Sequence, residues 1–117
     1  MEDVYEFDAV FGRKHKLFKT VHITGTNGKG SACIKIASGL SLAGYRVGRF
    51  QSPHISSCRE RFTINGEMIS ETDFVRCADE VLQKLEEHPQ LKLKFSEKLF
   101  FVALAYFALK KVEVAVI

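Results

Sequence analysis

The sequence lacks the features that mark secreted, membrane-spanning and disulfide-stabilised proteins. Its three cysteines, Cys33, Cys58 and Cys77, are far apart and include no C-x-x-C pair. An odd number of scattered cysteines argues against a disulfide framework and indicates a reducing compartment. The acidic start of the chain has no signal-peptide pattern, and the longest apolar run, 99–109, is too short to span a bilayer. We therefore expect a cytoplasmic protein with no membrane partner.

Signatures of nucleic-acid binding are missing as well. The sequence has no RNA-binding or zinc-finger motif, and 17 basic residues exceed 14 acidic ones only enough for a net charge of +3. A mild positive charge suits a small anionic ligand without requiring nucleic acid, so we expect no nucleic-acid partner. The basic cluster 13–19 is interpreted as a solvated loop, with a nucleotide-steering patch as the alternative. The length of 117 residues fits one small domain.

Residues 21–31, Val-His-Ile-Thr-Gly-Thr-Asn-Gly-Lys-Gly-Ser, are the most informative stretch. A β-branched start predicts a strand, the glycines predict a loop, and the residues that follow predict a helix. This order is typical of phosphate-binding sites, because backbone N–H groups and the helix N-terminus point at the anion. Lys29 adds a full positive charge, and Thr26 or Ser31 offers a hydroxyl to phosphate or Mg²⁺.

The loop departs from the usual G-x-x-x-x-G-K-[ST] pattern, since Gly25 and Gly28 are too close and Gly30 separates Lys29 from Ser31. A glycine-rich turn with an exposed lysine is the structural alternative, and the order of strand, loop and helix disfavours it. A dinucleotide-binding fingerprint is also disfavoured. Position 33 is cysteine, and no acidic residue ends the next predicted strand.

The flanking pattern predicts a parallel βαβ unit. Its parts are a strand over 20–24, a helix over 29–42 and a strand over 45–50, and the helix is expected to face inward with Ala32, Ile36, Leu40 and Ala43. Ligands bind beyond the carboxyl ends of such strands. The phosphate loop and the segment Ser52-Pro53-His54 should therefore meet at one edge of the sheet.

The rest of the chain predicts a hairpin, two helices and a last strand. The charged run 59–61 suggests a solvated loop tip, and Asn65-Gly66 predicts a two-residue hairpin turn. A helix capped by Ser70 or Thr72 should run to about residue 87, and another capped by Ser96 should run over 97–110. Residues 111–117 predict a third parallel strand, which we expect to be exposed and prone to self-association.

Three motifs together resemble one enzyme family. The loop 24–31, the segment 52–54 followed by 59–70, and a weaker match over 95–107 resemble the folylpolyglutamate synthase and dihydrofolate synthase family. This family belongs to the Mur ligase group of ATP-dependent amide-forming enzymes. The matches extend from about residue 19 to the end of the chain. Phe62 stands where the family has isoleucine after Glu-Arg, which is a mild difference.

The resemblance implies an α/β fold: a partial P-loop-type three-layer sheet, mostly parallel, with a small β-hairpin. Residues 1–117 would form the N-terminal part of a Mur-ligase-type ATP-binding domain, with the central region and the C-terminal domain absent. The chain alone would then be incomplete and inactive. In the family reaction, ATP phosphorylates a carboxylate of folate or dihydropteroate, and the amine of L-glutamate displaces the phosphate. Mg²⁺ accompanies the ATP.

The resemblance also assigns roles to residues. Lys29 would be the catalytic cation, and Arg61 with Pro53 and His54 would belong to the substrate flap. Ser31 and Ser52 would hold Mg²⁺. The residues expected to bind the phosphates of ATP are Gly25, Thr26, Asn27, Gly28, Lys29, Gly30 and Ser31.

The implied partners are the small-molecule substrates, folate or dihydropteroate with L-glutamate, and the missing C-terminal part of the same enzyme. Two other interpretations stay open at this point. One is a non-catalytic nucleotide-binding remnant or split product. The other is a Mur-type ligase that acts on a cell-wall precursor.

Overall fold

The computed structural model describes residues 2–23, 29–51 and 58–117. Within these ranges the α-helices are α1 (Glu2–Val10), α2 (Lys29–Leu42), α3 (Glu71–Glu87) and α4 (Phe95–Leu109). The strands of the same ranges are β1 (Lys19–Val21), β2 (Val47–Phe50), β3 (Phe62–Ile64), β4 (Glu67–Met68) and β5 (Val114–Val116). The 3₁₀ helices Lys14–Leu17 and Cys58–Arg61 precede β1 and β3.

The strands form one sheet in the order β1-β5-β2-β3-β4. Strand β5 pairs in parallel with β1 and with β2, whereas β2-β3 and β3-β4 are antiparallel. This confirms a parallel set of three strands extended by a small hairpin. The three parallel strands β1, β5 and β2 all end on one side of the sheet, which we call the carboxyl edge. We call the side on which they begin the amino edge. The prediction of an exposed last strand is wrong, because β5 lies between two strands and all three of its residues are buried.

Helices cover both faces of the sheet, which confirms the three-layer arrangement. On one face α2 packs Cys33 against Val47 and Val116. On the other face, a larger core joins residues of α1, α3 and α4 to Ala115. The neighbours Ala115 and Val116 serve opposite faces because side chains alternate along a strand.

Helix α4 is the centre of the larger core. Seven consecutive residues, 101–107, are buried, as expected for a helix that is apolar almost all round. Phe101 contacts Phe7 of α1 edge-on, with ring centroids 4.7 Å apart. Among the described residues no helix is both long enough and apolar enough to cross a membrane.

Helix α2 has the predicted bounds but presents a different face. Cys33, Ala37 and Leu40 face the sheet. Of the predicted inward stripe, Leu40 and Ala32 are half-buried. The prediction is wrong for the other two residues, because Ile36 is 36% exposed and Ala43 is exposed. The helix lies over a narrow apolar strip of β1, β5 and β2. The small Cys33 is fully buried and packs against Val47 and Val116 of this strip.

The hairpin turn is confirmed. Asn65 and Gly66 both have positive φ, 48° and 84°, as a two-residue turn of this type requires. The Asn65 side chain adds a tie to β2, because its Oδ1 accepts a hydrogen bond of 2.9 Å from the Val47 N–H. The turn therefore also fixes the hairpin against the start of β2.

The caps of α3 and α4 differ in how well they were predicted. Ser70 caps α3, since its Oγ accepts a 3.1 Å hydrogen bond from the Asp73 N–H. The predicted Ser96 cap of α4 is wrong. That helix begins at Phe95, and the Glu97 carboxylate accepts a 2.7 Å hydrogen bond from the Lys94 N–H.

Candidate functional site

The carboxyl edge is where the three parallel strands deliver the predicted site segments. The pairing of β1 with β5 continues to the last described residues before the loop. The Ile117 N–H donates to the Val21 carbonyl at 2.9 Å, and the Ile23 N–H donates to the Ile117 carbonyl at 2.8 Å. Residue 23 is thus held by the sheet directly before the predicted phosphate loop.

Helix α2 begins at this same edge. Its fourteen residues span about 21 Å at 1.5 Å per residue. Its end is tied to the amino edge, where the Tyr45 N–H donates to the Leu40 carbonyl and the Glu113 N–H donates to the Arg46 carbonyl. The start at Lys29 must therefore lie at the carboxyl edge, where the free N–H groups of the first turn carry partial positive charge.

The predicted phosphate-loop residues fall into two groups. Gly25, Thr26, Asn27 and Gly28 lie outside the described residues. The backbone of Lys29 and Gly30 forms the first positions of α2, and Ser31 is exposed in the same turn. The described residues thus supply the strand before the loop and the helix after it, in the order that phosphate binding requires.

The second predicted segment leaves the sheet at the end of β2. Ser52, Pro53 and His54 lie outside the described residues. Arg61 ends the 3₁₀ helix that returns the chain to β3, and its carbonyl accepts a 3.1 Å hydrogen bond from the Gln51 N–H. Only 9% of Arg61 is exposed. The interpretation of this arginine as part of a solvated loop tip is therefore wrong, and the sheet holds it at the carboxyl edge.

The structure adds a polar pair that the sequence did not single out. Arg49 donates a hydrogen bond from Nη1 to Oε1 of Gln51, immediately beyond the end of β2. Arg49 shares a face with Val47, so it lies on the side of the sheet that α2 covers. There it lines a cleft of about 370 Å³ together with Ser38 and Thr63. The sequence signal that could have indicated Arg49 is a single charged residue in an otherwise apolar strand.

The two described groups with shifted pKa values, Cys77 and Tyr106, belong to α3 and α4 and do not lie at this edge. Burial raises the pKa of the Cys77 thiol to about 11, with smaller contributions from Glu80 and Asp73. Burial also raises the pKa of Tyr106, and Asp73 adds to that shift. Both groups stay protonated at neutral pH and belong to α3 and α4. In the part of the chain that the structure describes, no three His, Cys, Asp or Glu side chains could together hold a metal ion.

The basic cluster 13–19 lies at the amino edge, because it directly precedes β1. Arg13, Lys16 and Lys19 are exposed to solvent as predicted, but the segment forms a 3₁₀ helix and the first residue of β1 and not a loop. His15 pairs with Asp8 at 3.1 Å, and the Lys14 ammonium lies 4.6 Å from the centre of the Phe11 ring. The cluster is separated from the start of α2 by the length of the sheet, so its position disfavours the alternative of a nucleotide-steering patch.

Known proteins are similar to this chain in sequence and in fold. No protein-family model matches the chain. A folylpolyglutamate synthase of Arabidopsis thaliana is 40% identical over 107 residues, which are 89% of this chain and 17% of the plant protein. The crystal structure of a folylpolyglutamate synthase from Thermotoga maritima is 39% identical, with a TM-score of 0.89 over 98% of this chain and 28% of that one.

A third similar protein was solved with ligands. The structure of E. coli FolC in complex with DHPP and ADP is 28% identical, with a TM-score of 0.90. The match covers 99% of this chain and 27% of the E. coli chain. This chain therefore spans 17% to 28% of the length of these three proteins.

Proposed function

We propose a function from the premise that this chain belongs to the folylpolyglutamate and dihydrofolate synthase family. The chain supplies the phosphate-binding loop and a substrate-contacting segment of an ATP-dependent ligase. The ligase joins L-glutamate to folate or dihydropteroate through an amide bond. Residues 1–117 form the first part of its ATP-binding domain, and the protein acts in the cytoplasm together with the remaining parts of such an enzyme.

One observation carries the proposal. Helix α2 begins at Lys29, at the carboxyl edge, six residues after Ile23 of the β1 segment. A strand, a short glycine-rich connection and a helix N-terminus form the backbone cradle that binds phosphate. The E. coli relative, with the same fold over this chain, was solved in complex with ADP, which supports a nucleotide at this position.

Each predicted site residue has a role in this proposal. ATP supplies the phosphoryl group that activates the carboxylate. The loop N–H groups of residues 25–30 and the Lys29 ammonium neutralise the phosphates, and this electrostatic positioning supplies most of the catalysis in phosphoryl transfer. The hydroxyls of Ser31 and Ser52 are ligands for Mg²⁺, a hard cation that prefers oxygen.

The substrate segment contributes from the end of β2. Pro53 and His54 lie in the connection between Gln51 and the 3₁₀ helix, and Arg61 is fixed beside Gln51. Arg61 is buried as a residue at this edge, and an arginine guanidinium is suited to binding a carboxylate or phosphate in a bidentate manner. We assign to Arg61 the orientation of the acid substrate near the transferring phosphoryl group.

Calorimetric titration with Mg²⁺-ATP tests the phosphate loop. The variant Lys29→Ala should weaken binding by about 10- to 100-fold, because it removes a charge-assisted contact to phosphate. Lys35→Ala is the matched control, since Lys35 is an exposed lysine of the same helix. The control should bind like the unaltered chain.

Two results would contradict the proposal. A well-folded chain that binds no Mg²⁺-ATP would show that these residues form no working phosphate loop without the remaining parts of the enzyme. Equal losses in Lys29→Ala and Lys35→Ala would show that only general charge attracts the nucleotide. Circular dichroism of each variant, measured beside the titration, separates lost binding from lost folding.

A further inference from the structure

The chain leaves β2 through a glutamine that is held by two hydrogen bonds. The backbone N–H of Gln51 donates to the Arg61 carbonyl at 3.1 Å, so the pairing of β2 with the returning chain extends to this residue. The side-chain oxygen of Gln51, Oε1, accepts a hydrogen bond from Nη1 of Arg49. Both the backbone and the side chain of Gln51 are therefore fixed at the carboxyl edge.

The alternation of side chains along β2 shows on which face of the sheet Gln51 lies. Val47 packs against α2, whereas a Cβ at Gly48 would meet the Phe107 ring of α4 on the other face. Successive side chains of a strand point to opposite faces, so Arg49 and Gln51 share the face of Val47. Gln51 therefore lies on the face that α2 covers, at the edge where α2 begins.

The partner of the Gln51 oxygen determines which way the amide points. A guanidinium has N–H donors and no acceptor, so only the oxygen of the amide can face Arg49. The amide nitrogen, Nε2, must therefore point away from Arg49 with its N–H donors. Without this partner the amide could present either end to its surroundings. Arg49 thus keeps Gln51 oriented as a hydrogen-bond donor.

This donor lies close to the proposed position of the nucleotide. The phosphate loop follows β1 and Gln51 follows β2, with β5 between the two strands. Neighbouring strands are about 4.8 Å apart, so the ends of β1 and β2 are separated by about 10 Å. A glutamine side chain and the terminal phosphate of a nucleotide held at the loop can together bridge this distance.

We propose that Gln51 binds the terminal phosphoryl group of ATP and that Arg49 is the residue that positions it. The inference rests on the proposed function, because it requires ATP at the phosphate loop. Nε2 of Gln51 donates a hydrogen bond to an oxygen of the phosphoryl group that is transferred, and Arg49 holds the amide in the necessary orientation. Preorganised donors of this kind stabilise the charge of a transferring phosphoryl group without reorganisation during the reaction.

The carboxylate of the acid substrate is the alternative ligand. A guanidinium fork matches the two oxygens of a carboxylate, and Arg61 has that role in the proposed function. A single amide nitrogen offers no such fork and suits one oxygen of a phosphoryl group. The chemistry of the donor therefore favours the phosphoryl group, and folate binding separates the two ligands experimentally.

Calorimetric titrations with Mg²⁺-ATP and Mg²⁺-ADP test the assignment, because ADP lacks the terminal phosphoryl group. Gln51→Met keeps an unbranched side chain but removes its donors, so it should weaken ATP binding about tenfold and ADP binding less than about twofold. Gln83→Met is the matched control, since Gln83 is an exposed glutamine of α3. The control should bind both nucleotides like the unaltered chain.

Variants that keep or restore the hydrogen bond between the two residues separate lost binding from lost folding. Gln51→Glu retains an oxygen that accepts from Arg49 and replaces the donor with a charged acceptor. It should weaken ATP binding at least about tenfold, because the carboxylate repels the terminal phosphate. Arg49→Met releases the amide and should weaken ATP binding about threefold. Arg49→Lys restores a donor and should recover most of this loss.

Four results would overturn the inference. Equal losses of ATP and ADP affinity in Gln51→Met would show that the residue has only a structural role. An effect of Gln51→Met on folate binding, with none on ATP, would place the donor at the acid substrate. Unchanged ATP binding by Gln51→Met, with Lys29→Ala still impaired, would overturn this inference alone. Binding of neither nucleotide by the unaltered chain would overturn it together with the proposed function.

Discussion

Gly48 is the residue where the sheet and helix α4 approach most closely among the described glycines. A Cβ at this position would lie 2.6 Å from both Cδ1 and Cε1 of Phe107, a distance that real Cβ atoms do not tolerate. The Phe107 ring is fully buried and also contacts Phe18, so it has little room to move. The absence of a side chain at Gly48 is therefore a requirement of packing.

Gly48→Ala should lower the free energy of unfolding by about 1–3 kcal/mol, because an added methyl overpacks the core. Urea titration followed by circular dichroism measures this. Gly39→Ala is the control, since Gly39 lies within α2 with no atom near its added Cβ. That substitution should raise the free energy of unfolding by about 0.5–1 kcal/mol. Equal effects of the two changes would contradict the packing argument.

Arg61 and Arg49 show what residue-level sequence patterns leave open. Three charges in a row favour an exposed loop when only neighbours along the chain are considered. Arg61 is nevertheless buried, and its carbonyl bonds to Gln51, ten residues earlier, where β3 pairs with β2. Arg49 is identified as a candidate site residue only by its hydrogen bond to that same glutamine, just beyond the end of β2. Both depend on strand pairing, which local patterns do not encode.

At the scale of elements, helix bounds follow from the sequence better than helix caps and faces do. The bounds of α2 match the prediction, yet the face that packs against the sheet contains Cys33 and Ala37. This face differs from the predicted one because packing against the sheet decides which side of the helix is buried. Serine favours a cap only where its hydroxyl meets a free N–H. Ser70 does so at α3. Ser96 follows the first residue of α4 and has no such role.

Ser70→Ala should lower the free energy of unfolding by about 1 kcal/mol, because the Asp73 N–H loses its acceptor at the start of α3. Thermal unfolding measures the change. Ser96→Ala, the same substitution at the serine that is not a cap, should leave stability within about 0.5 kcal/mol or raise it slightly, since alanine is the better helix former. A larger loss from Ser96→Ala than from Ser70→Ala would reverse the assignment of the caps to these two helices.

At the scale of the whole molecule, the order of the strands decides which strands are buried and which have an open edge. Apolar runs predicted the three parallel strands, the Asn65-Gly66 turn predicted the hairpin, and the motif order predicted that the site segments share the carboxyl edge. The runs did not predict that β5 inserts between β1 and β2, because strand neighbours are set by packing between distant segments. Consequently β1, and not the last strand, has an open edge within the described residues.

The paired residues Thr20 and Ala115 test this strand order directly. They are partners across β1 and β5, but Thr20 is exposed on the edge strand and Ala115 is fully buried in the centre. Ala115→Asp should lower the free energy of unfolding by more than about 3 kcal/mol, because it buries an unpaired carboxylate. Thr20→Asp should lower it by less than about 1 kcal/mol, since its carboxylate stays in water. Urea titration of both variants measures the difference. If the last strand were instead an exposed edge, Ala115→Asp would be tolerated as well as Thr20→Asp, and the arrangement of the sheet would have to be revised.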